Sequence, residues 1–436
     1  MRRGLHDFSF TFLARAATIA TSLGVQSCLA WFLGPAGRGS YAVCIMYATI
    51  LTTIFMVGCD VAGLYFVASR RVSIPEGITN IVVYGGLGSA VAILAGFGLL
   101  YSGLSFLDKA SLSSFHLALI LIPVNLFSLI FLNLLTAARR FSQYTLVSVV
   151  QGVSQLIFVF FFVRILDGGV NGAIIGILGG GVITITLTLI LFYRKDGAIF
   201  KPINLTQFKE MFHYGARYYV AKISNMANVQ VGTLILALFA AREEIAFFAV
   251  AMRVTIQVMI VPDTLTLVLI PRSARAREGE KELVARSARL TGLICGAALI
   301  LLVIFARPLV LIVFSPAFAP AIPLIRIISI GVLLRSASKV IVPYLIGTDH
   351  PGIASISVGV GMLVNLGMLL LLLPLIGLSG AAVAVSAGYL AGAVVLLFWF
   401  ARLSGLGIGE IIVPRWSDIA YVIALLKRGK RGEQAS

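Results

Sequence analysis

Seven basic side chains fall inside stretches otherwise apolar enough to sit in a bilayer: Arg15, Arg217, Lys222, Arg253, Arg326, Arg335 and Lys339. Only Asp60 and Asp263 oppose them. A basic residue near the centre of a membrane helix costs about 2.5–3.5 kcal/mol on insertion scales, so such residues face a bundle interior or a wet cavity and mark a pathway. An excess of positive charge there attracts an anion and repels a cation. A phosphate or pyrophosphate suits guanidinium and ammonium groups, which bind it through charge-assisted hydrogen bonds. Arg326 and Lys339 lie near the ends of their stretches and can snorkel to the surface. Arg15, Lys222 and Arg253 lie deeper, where a wet cavity is the environment to expect.

The acids are regularly placed. Asp60 precedes Arg70 by ten residues and Asp263 precedes Arg272 by nine, which puts them at equal depths. Arg15 and Arg217 enter the neighbouring stretches from the same side, so the expected pairs are Arg15 with Asp60 and Arg217 with Asp263. Each is either a fixed ion pair that offsets the burial of charge or part of an inner gate or headgroup site. The stretch after residue 211 is the most polar: Arg217, Ser224 and Asn228 share one helical face, flanked by Lys222, Asn225 and Gln230. His213 and Tyr214 open it, His213 reading as an interfacial histidine. The substrate-binding set is therefore Arg15, Arg217, Lys222, Asn225, Asn228, Arg253 and Arg335, lining a cationic cavity.

These residues need membrane helices to hold them. Of 436 residues, 59% are hydrophobic and 12% charged, about half the charged share of an ordinary soluble domain, which excludes a soluble enzyme. Apolar windows near the ~20 residues needed to span a bilayer fall at about 8–33, 41–68, 78–101, 113–136, 143–163 and 170–193. They resume at 211–239, 245–270, 290–306, 320–346, 352–373 and 380–401. Met1-Arg2-Arg3 followed by an apolar run resembles a signal peptide. However, Arg15 interrupts the run, which continues to about Phe32, so an uncleaved first helix is expected. Of the 34 lysines and arginines, Arg38, Lys109, Arg164, Arg242 and Arg307 fall in outer segments, seven lie in spans and the other 22 lie on the inner side. That skew places both termini in the cytoplasm. The net charge of +17 is then topology and attraction to the inner leaflet, not a nucleic-acid footprint.

The two sets of six echo each other. Gly169-Val170-Asn171-Gly172-Ala173 opens the sixth window and Gly377-Leu378-Ser379-Gly380-Ala381 the twelfth; Leu13-Ala14-Arg15 matches Gly215-Ala216-Arg217, and Tyr41-Ala42-Val43 matches Phe248-Ala249-Val250. The expected fold is an all-α polytopic membrane protein of twelve transmembrane helices in two pseudo-symmetric six-helix lobes around a central cavity. The lobes run 1–197 and 198–405, and a basic cytoplasmic tail follows at 406–436. Transporters commonly place the substrate between such repeats. Gly172/Gly176 and Gly388/Gly392 have the spacing of close helix contacts.

The rest is unremarkable chemistry. Cys28, Cys44, Cys59 and Cys295 read as buried free thiols, and no cofactor or metal is called for. There is no GxxxxGK[ST] and no HExxH. Gly85-Gly86-Leu87-Gly88 reads as helix packing, and the longest outer loop, 307–319, is too short for a catalytic domain. The tail around Trp416–Leu426 fits either an interfacial helix or a solvated segment.

Leu33-Gly34-Pro35-Ala36-Gly37-Arg38-Gly39-Ser40-Tyr41-Ala42 resembles a recurrent signature of the polysaccharide-type flippases of the multidrug/oligosaccharidyl-lipid/polysaccharide (MOP) exporter superfamily. Ala138-Arg139-Arg140-Phe141-Ser142-Gln143-Tyr144 and the two Gly-x-x-Gly-Ala openings are similar to that family's patterns. The resemblance spans 8–403. It implies two lobes opening alternately to either side, carrying a polyprenyl-pyrophosphate-linked oligosaccharide for O-antigen or exopolysaccharide assembly. The sugar and phosphates would cross in the cavity while the lipid tail stays in the bilayer. Where relatives carry Arg-x-Asp in the seventh span this chain has Gln230-Val231-Gly232, which weighs against a cation site there. The expectation is a non-enzymatic flippase, acting as a monomer, compatible with H+ or Na+ coupling and with association with polysaccharide polymerase machinery. An inside-negative potential favours outward passage of an anion by about 2.3 kcal/mol per charge per 100 mV. The alternatives are a multidrug/cation antiporter of the same fold, which would want carboxylates in the lobes, and a membrane glycan polymerase or ligase, which would want a long outer loop.

Overall fold

With no water in the bilayer core, backbone N–H and C=O groups must pair within each segment, and the computed structural model is accordingly helical, with no strand among the described residues. It describes residues 2–102, 110–197, 201–263, 280–348, 350–415 and 418; within helices the side chains of 2–16 and of much of 217–231 are outside the description. Contacts divide the chain into two compact units. Unit 1 is Met1–Phe247 with Leu311–Phe318, and unit 2 is Phe248–Val310 with Ala319–Ser436. The seventh helix falls within the first unit.

Unit 1 begins with α1 (Arg2–Met56), which is two helical arms meeting at Gly34. Gly34 has φ 63° and Pro35 opens the second arm; a glycine takes this left-handed backbone readily, and proline suits the first position of a helix. Gly39 lies so close to the Arg242 backbone that an added Cβ would stand 1.8 Å from its carbonyl oxygen. Arg38, expected in an outer loop, is instead buried in the second arm and donates to Gln26 Oε1 at 2.5 Å. Each conspicuous residue of the LGPAGRG signature therefore has a packing reason.

The second window, expected as one span over 41–68, is broken. After α1, Val57 (φ 41°) and Gly58 (φ 74°) turn left-handed, and α2 (Cys59–Ala68) starts anew. α3 (Ile74–Leu100), α4 (Leu112–Ala137), α5 (Phe141–Phe160, continued by a π-helical turn Phe161–Ile165), α6 (Gly169–Asp196) and α7 (Leu205–Phe239) follow. Caps start them where the sequence offers polar groups. Glu76 accepts from the Ser73 N–H at 3.1 Å before α3, and Asn204 Oδ1 accepts from the Thr206 and Gln207 N–H groups before α7. The apolar cluster of unit 1 draws Phe66 from α2, Ile81 and Tyr84 from α3, Leu134 and Leu135 from α4, Phe192 from α6 and Met211 from α7.

α8 (Arg242–Ile256) runs on to Asp263. Unit 2 continues with α9 (Glu280–Leu309), α10 (Ala321–Lys339), α11 (Val342–Gly347), α12 (Pro351–Ile376), α13 (Leu378–Ser404) and α14 (Ile408–Ile412); a π-helical turn Val310–Phe314 follows α9 and, from Leu311, belongs to unit 1. The expected loop 307–319 is mostly helical. The π-helical turn redirects the carbonyls of Ile312 and Val313, which accept from Trp31 Nε1 and Ser27 Oγ of α1, all within unit 1.

Nine helices among the described residues are long and apolar enough to cross a membrane, so the chain is a multi-pass membrane protein. The expected twelve differ in three places: the first two windows share α1, and α7 and α10, which carry polar and basic residues, are outside the nine. Lipid gives helices little hydrophobic reason to associate, so small residues that let backbones approach hold them together. Gly172 abuts Phe162 O and Gly380 abuts Leu372 O, while Gly388 and Gly392 of α13 abut Gly361 O and Ser357 O. Gly169 (φ 52°) and Gly377 (φ 60°) make the same left-handed entry. The two Gly-x-x-Gly-Ala openings are thus equivalent in structure as well as sequence. Gly85 and Gly88 are packing residues against Leu126 and Phe55 O. Cys44, Cys59 and Cys295 are buried free thiols and Cys28 is half-buried.

Candidate functional site

The break between α1 and α2 is the most elaborate junction of unit 1. A broken helix leaves carbonyls without intrahelical donors, and here two tyrosines serve them. Tyr84 Oη donates to Val57 O at 2.6 Å, and Tyr219 Oη donates to Ile54 O. Gly58 and Gly215 of α7 meet backbone to backbone: a Cβ on Gly58 would stand 2.3 Å from Gly215 O, and one on Gly215 2.7 Å from Val57 O. Tyr65 stacks on Tyr214 with ring centroids 4.3 Å apart, and Phe208 and Phe212 lean on Tyr84. Asp60 follows in the first turn of α2, buried. That position favours a negative charge, because the peptide dipoles of a helix sum to a positive N-terminus. The break therefore sets a carboxylate at depth beside a close contact with α7.

In unit 2 the basic residues have identifiable neighbours. Arg335, well inside the expected tenth span, is half-buried on α10, and its guanidinium carbon lies 4.6 Å from the ring centroid of Tyr389 on α13. Tyr389 is buried. Among the described residues Arg335 has no carboxylate partner, so an aromatic face holds it while its charge stays unneutralised. Asp263, at the end of α8, pairs with Lys339 at the end of α10, both about half exposed. Spacing along the chain does not point to this partner. Arg253 is exposed on the last turn of α8, and Arg326 is exposed on α10.

The side chains of Arg15, Arg217, Lys222, Ser224, Asn225 and Asn228 lie outside the described residues, so the expected Arg15–Asp60 and Arg217–Asp263 pairs do too. His213 is exposed, with Nδ1 2.8 Å from Lys209 O.

A second charged cluster went unforeseen. Arg289 of α9 forks onto Asp418, Nε to Oδ2 at 2.5 Å and a terminal nitrogen to Oδ1 at 2.8 Å, and also donates to Glu410 O. Arg286 reaches the same carboxylate at 3.3 Å, and Lys281 donates to Ser404 O at 3.1 Å. Asp418 is fully buried. The hydrogen bonds from Arg289 hold its carboxyl at about 2, against an ordinary 3.8. The segment after α13 is therefore docked on the foot of α9. Its only signal in the sequence is an acid, Asp418, in a tail with more basic than acidic residues.

Solved structures of similar fold are transporters. A multidrug-resistance MATE-family transporter of the MOP superfamily, in an inward-facing conformation, matches with TM-score 0.73 at 15% identity, over 91% of this chain and 98% of that one. The lipid II flippase MurJ, in an inward closed conformation, matches with TM-score 0.71 at 15% identity, over 92% and 89%. A MOP-superfamily transporter from Pyrococcus furiosus, described as having a binding pocket of reversed polarity, matches with TM-score 0.63 at 15% identity, over 91% and 94%. At such identities the likeness establishes the fold alone. No curated protein matches the chain in sequence. The family described as "Polysaccharide biosynthesis protein" matches residues 5–277, more than half of the chain. With its fold shared with the MOP-superfamily transporters, this chain belongs to the polysaccharide biosynthesis protein family.

Proposed function

We propose that this protein is a flippase. It moves an anionic, polyprenyl-pyrophosphate-linked oligosaccharide from the cytoplasmic to the outer leaflet of a bacterial inner membrane, by alternating access between the lobes 1–197 and 198–405. The observation that carries the reading is Arg335: a guanidinium within a membrane helix, laid on the buried ring of Tyr389, with no carboxylate partner among the described residues. Such a group answers a phosphate and repels a cation. Membership of a polysaccharide biosynthesis family supports a glycan-bearing substrate, and a fold shared with transporters supports a carrier. The carboxylate a cation antiporter would need in the second lobe, Asp263, is engaged by Lys339. Arg15, Arg217, Lys222, Asn225, Asn228 and Arg253 complete the proposed headgroup path.

Depleting the protein in its host and labelling lipid-linked glycans from the outer face tests the reading. The expected result is accumulation of a pyrophosphate-linked glycan in the inner leaflet, inaccessible to the label. Normal outer labelling, or accumulation of a cationic drug instead, contradicts it.

A further inference from the structure

One turn is built twice at one end of unit 1, each time with arginine where the backbone favours glycine. At the end of α2 the Arg70 N–H donates to Val67 O at 3.1 Å and the Arg71 N–H to Phe66 O at 3.0 Å. At the end of α4 the Arg139 N–H donates to Thr136 O at 2.9 Å and the Arg140 N–H to Leu135 O at 2.8 Å. Both are Schellman endings, with the same pair of backward hydrogen bonds and the same left-handed residue. Arg70 and Arg139 each have φ 57°. An L side chain in this conformation crowds the next carbonyl, which is why glycine usually holds the position. This chain itself uses glycine after α13, where Gly405 has φ 73°.

The second arginine of each turn lies over a ring: Arg71 is 5.6 Å from the centroid of Tyr65, and Arg140 is 4.9 Å from that of Phe192. Arg70, Arg71 and Arg139 are exposed, and among the described residues none of these three has a carboxylate partner. Both turns flank one apolar cluster, through Phe66, Val67 and Val72 on one side and Leu134, Leu135 and Ala137 on the other. They therefore open at the same end of the unit.

Membrane topology would be served by arginines at any unstrained position. Strain kept twice at matching positions points to a use for the side chain at that spot. We infer that the paired turns bind the phosphate headgroup of an anionic phospholipid in the leaflet that faces them. Guanidinium groups grip phosphate through parallel N–H···O bonds, and the rings under Arg71 and Arg140 hold two of the four in place beforehand. This inference stands on the turns and does not depend on what the protein carries.

The test is the double variant Arg70→Gly/Arg139→Gly of the full chain. Glycine fits both turns, so the fold is kept. Wild type and variant are placed in nanodiscs of mixed phosphatidylglycerol and phosphatidylcholine, and the lipids each retains are counted by native mass spectrometry. Enrichment of phosphatidylglycerol should fall about fivefold or more. The melting temperature in lipid-free detergent should stay equal or rise, and its increase on adding phosphatidylglycerol should shrink. Wild-type enrichment in the variant overturns the inference. So does a lower melting temperature in lipid-free detergent, which would make the arginines structural. Selective loss of an added polyprenyl pyrophosphate, with phosphatidylglycerol unaffected, would assign the turns to the transported lipid and equally overturn it.

Discussion

At the scale of single residues, the account turns on how a charge is held in an apolar setting. Arg335 rests on the face of Tyr389, so the ring, not the hydroxyl, should matter. Tyr389→Phe is expected to keep affinity for a pyrophosphate-bearing probe within about twofold, and Tyr389→Leu to lower it about fivefold, the equivalent of roughly 1 kcal/mol for a cation–π contact; titration of purified protein reads both. The tie between Arg289 and Asp418 predicts a pH effect with a definite sign. The folded carboxyl sits at about 2 and its ordinary value is 3.8, so its contribution is complete above about pH 4 and fades as pH falls through 2. At neutral pH a forked arginine–carboxylate contact contributes about 2 kcal/mol. Melting curves of wild type minus those of Asp418→Asn should show that difference at pH 7 and its loss by about pH 2. The basic and acidic residues were legible in the sequence as ionisable groups in apolar runs. Their partners were not, because Tyr389 and Lys339 lie on other helices and a spacing along the chain reports only the residue's own helix.

At the scale of elements, hydrophobic runs marked most of the spans. Periodicity said nothing of the break at Val57-Gly58, where the flanking residues Met56, Val57 and Cys59 are as apolar as a continuous span requires. That break is fixed by tertiary contacts: Tyr84 and Tyr219 take the freed carbonyls and Gly215 fills the gap. Gly58→Ala and Gly215→Ala should each lower stability by about 2 kcal/mol or more, since the new methyl meets backbone that cannot rotate away. Gly98→Ala, on a helix of the same unit with open space around it, should be neutral or stabilising by about 0.5–1 kcal/mol. Thermal unfolding in one detergent compares all three. Equal effects at the three positions would mean that the close contact at the break is not what holds it.

At the scale of the whole molecule, composition announced a multi-pass membrane protein, and nine membrane-length helices among the described residues agree with it. The internal echo also proved physical, since both Gly-x-x-Gly-Ala openings pair a left-handed glycine with a glycine pressed on a carbonyl. α7, the polar helix that motivated a cavity, packs with unit 1. Its polarity identified an unusual helix without identifying its neighbours. In the proposed transport a negative headgroup moves along guanidinium groups. The most direct measurement is translocation in proteoliposomes of a polyprenyl-pyrophosphate-linked glycan and of a neutral glycolipid of matched length, by wild type and by Arg335→Gln. The pyrophosphate lipid is expected to cross preferentially, and Arg335→Gln to slow it on the order of tenfold with an unchanged melting temperature. Equal rates for both lipids, or an Arg335→Gln variant as fast as wild type, would contradict it.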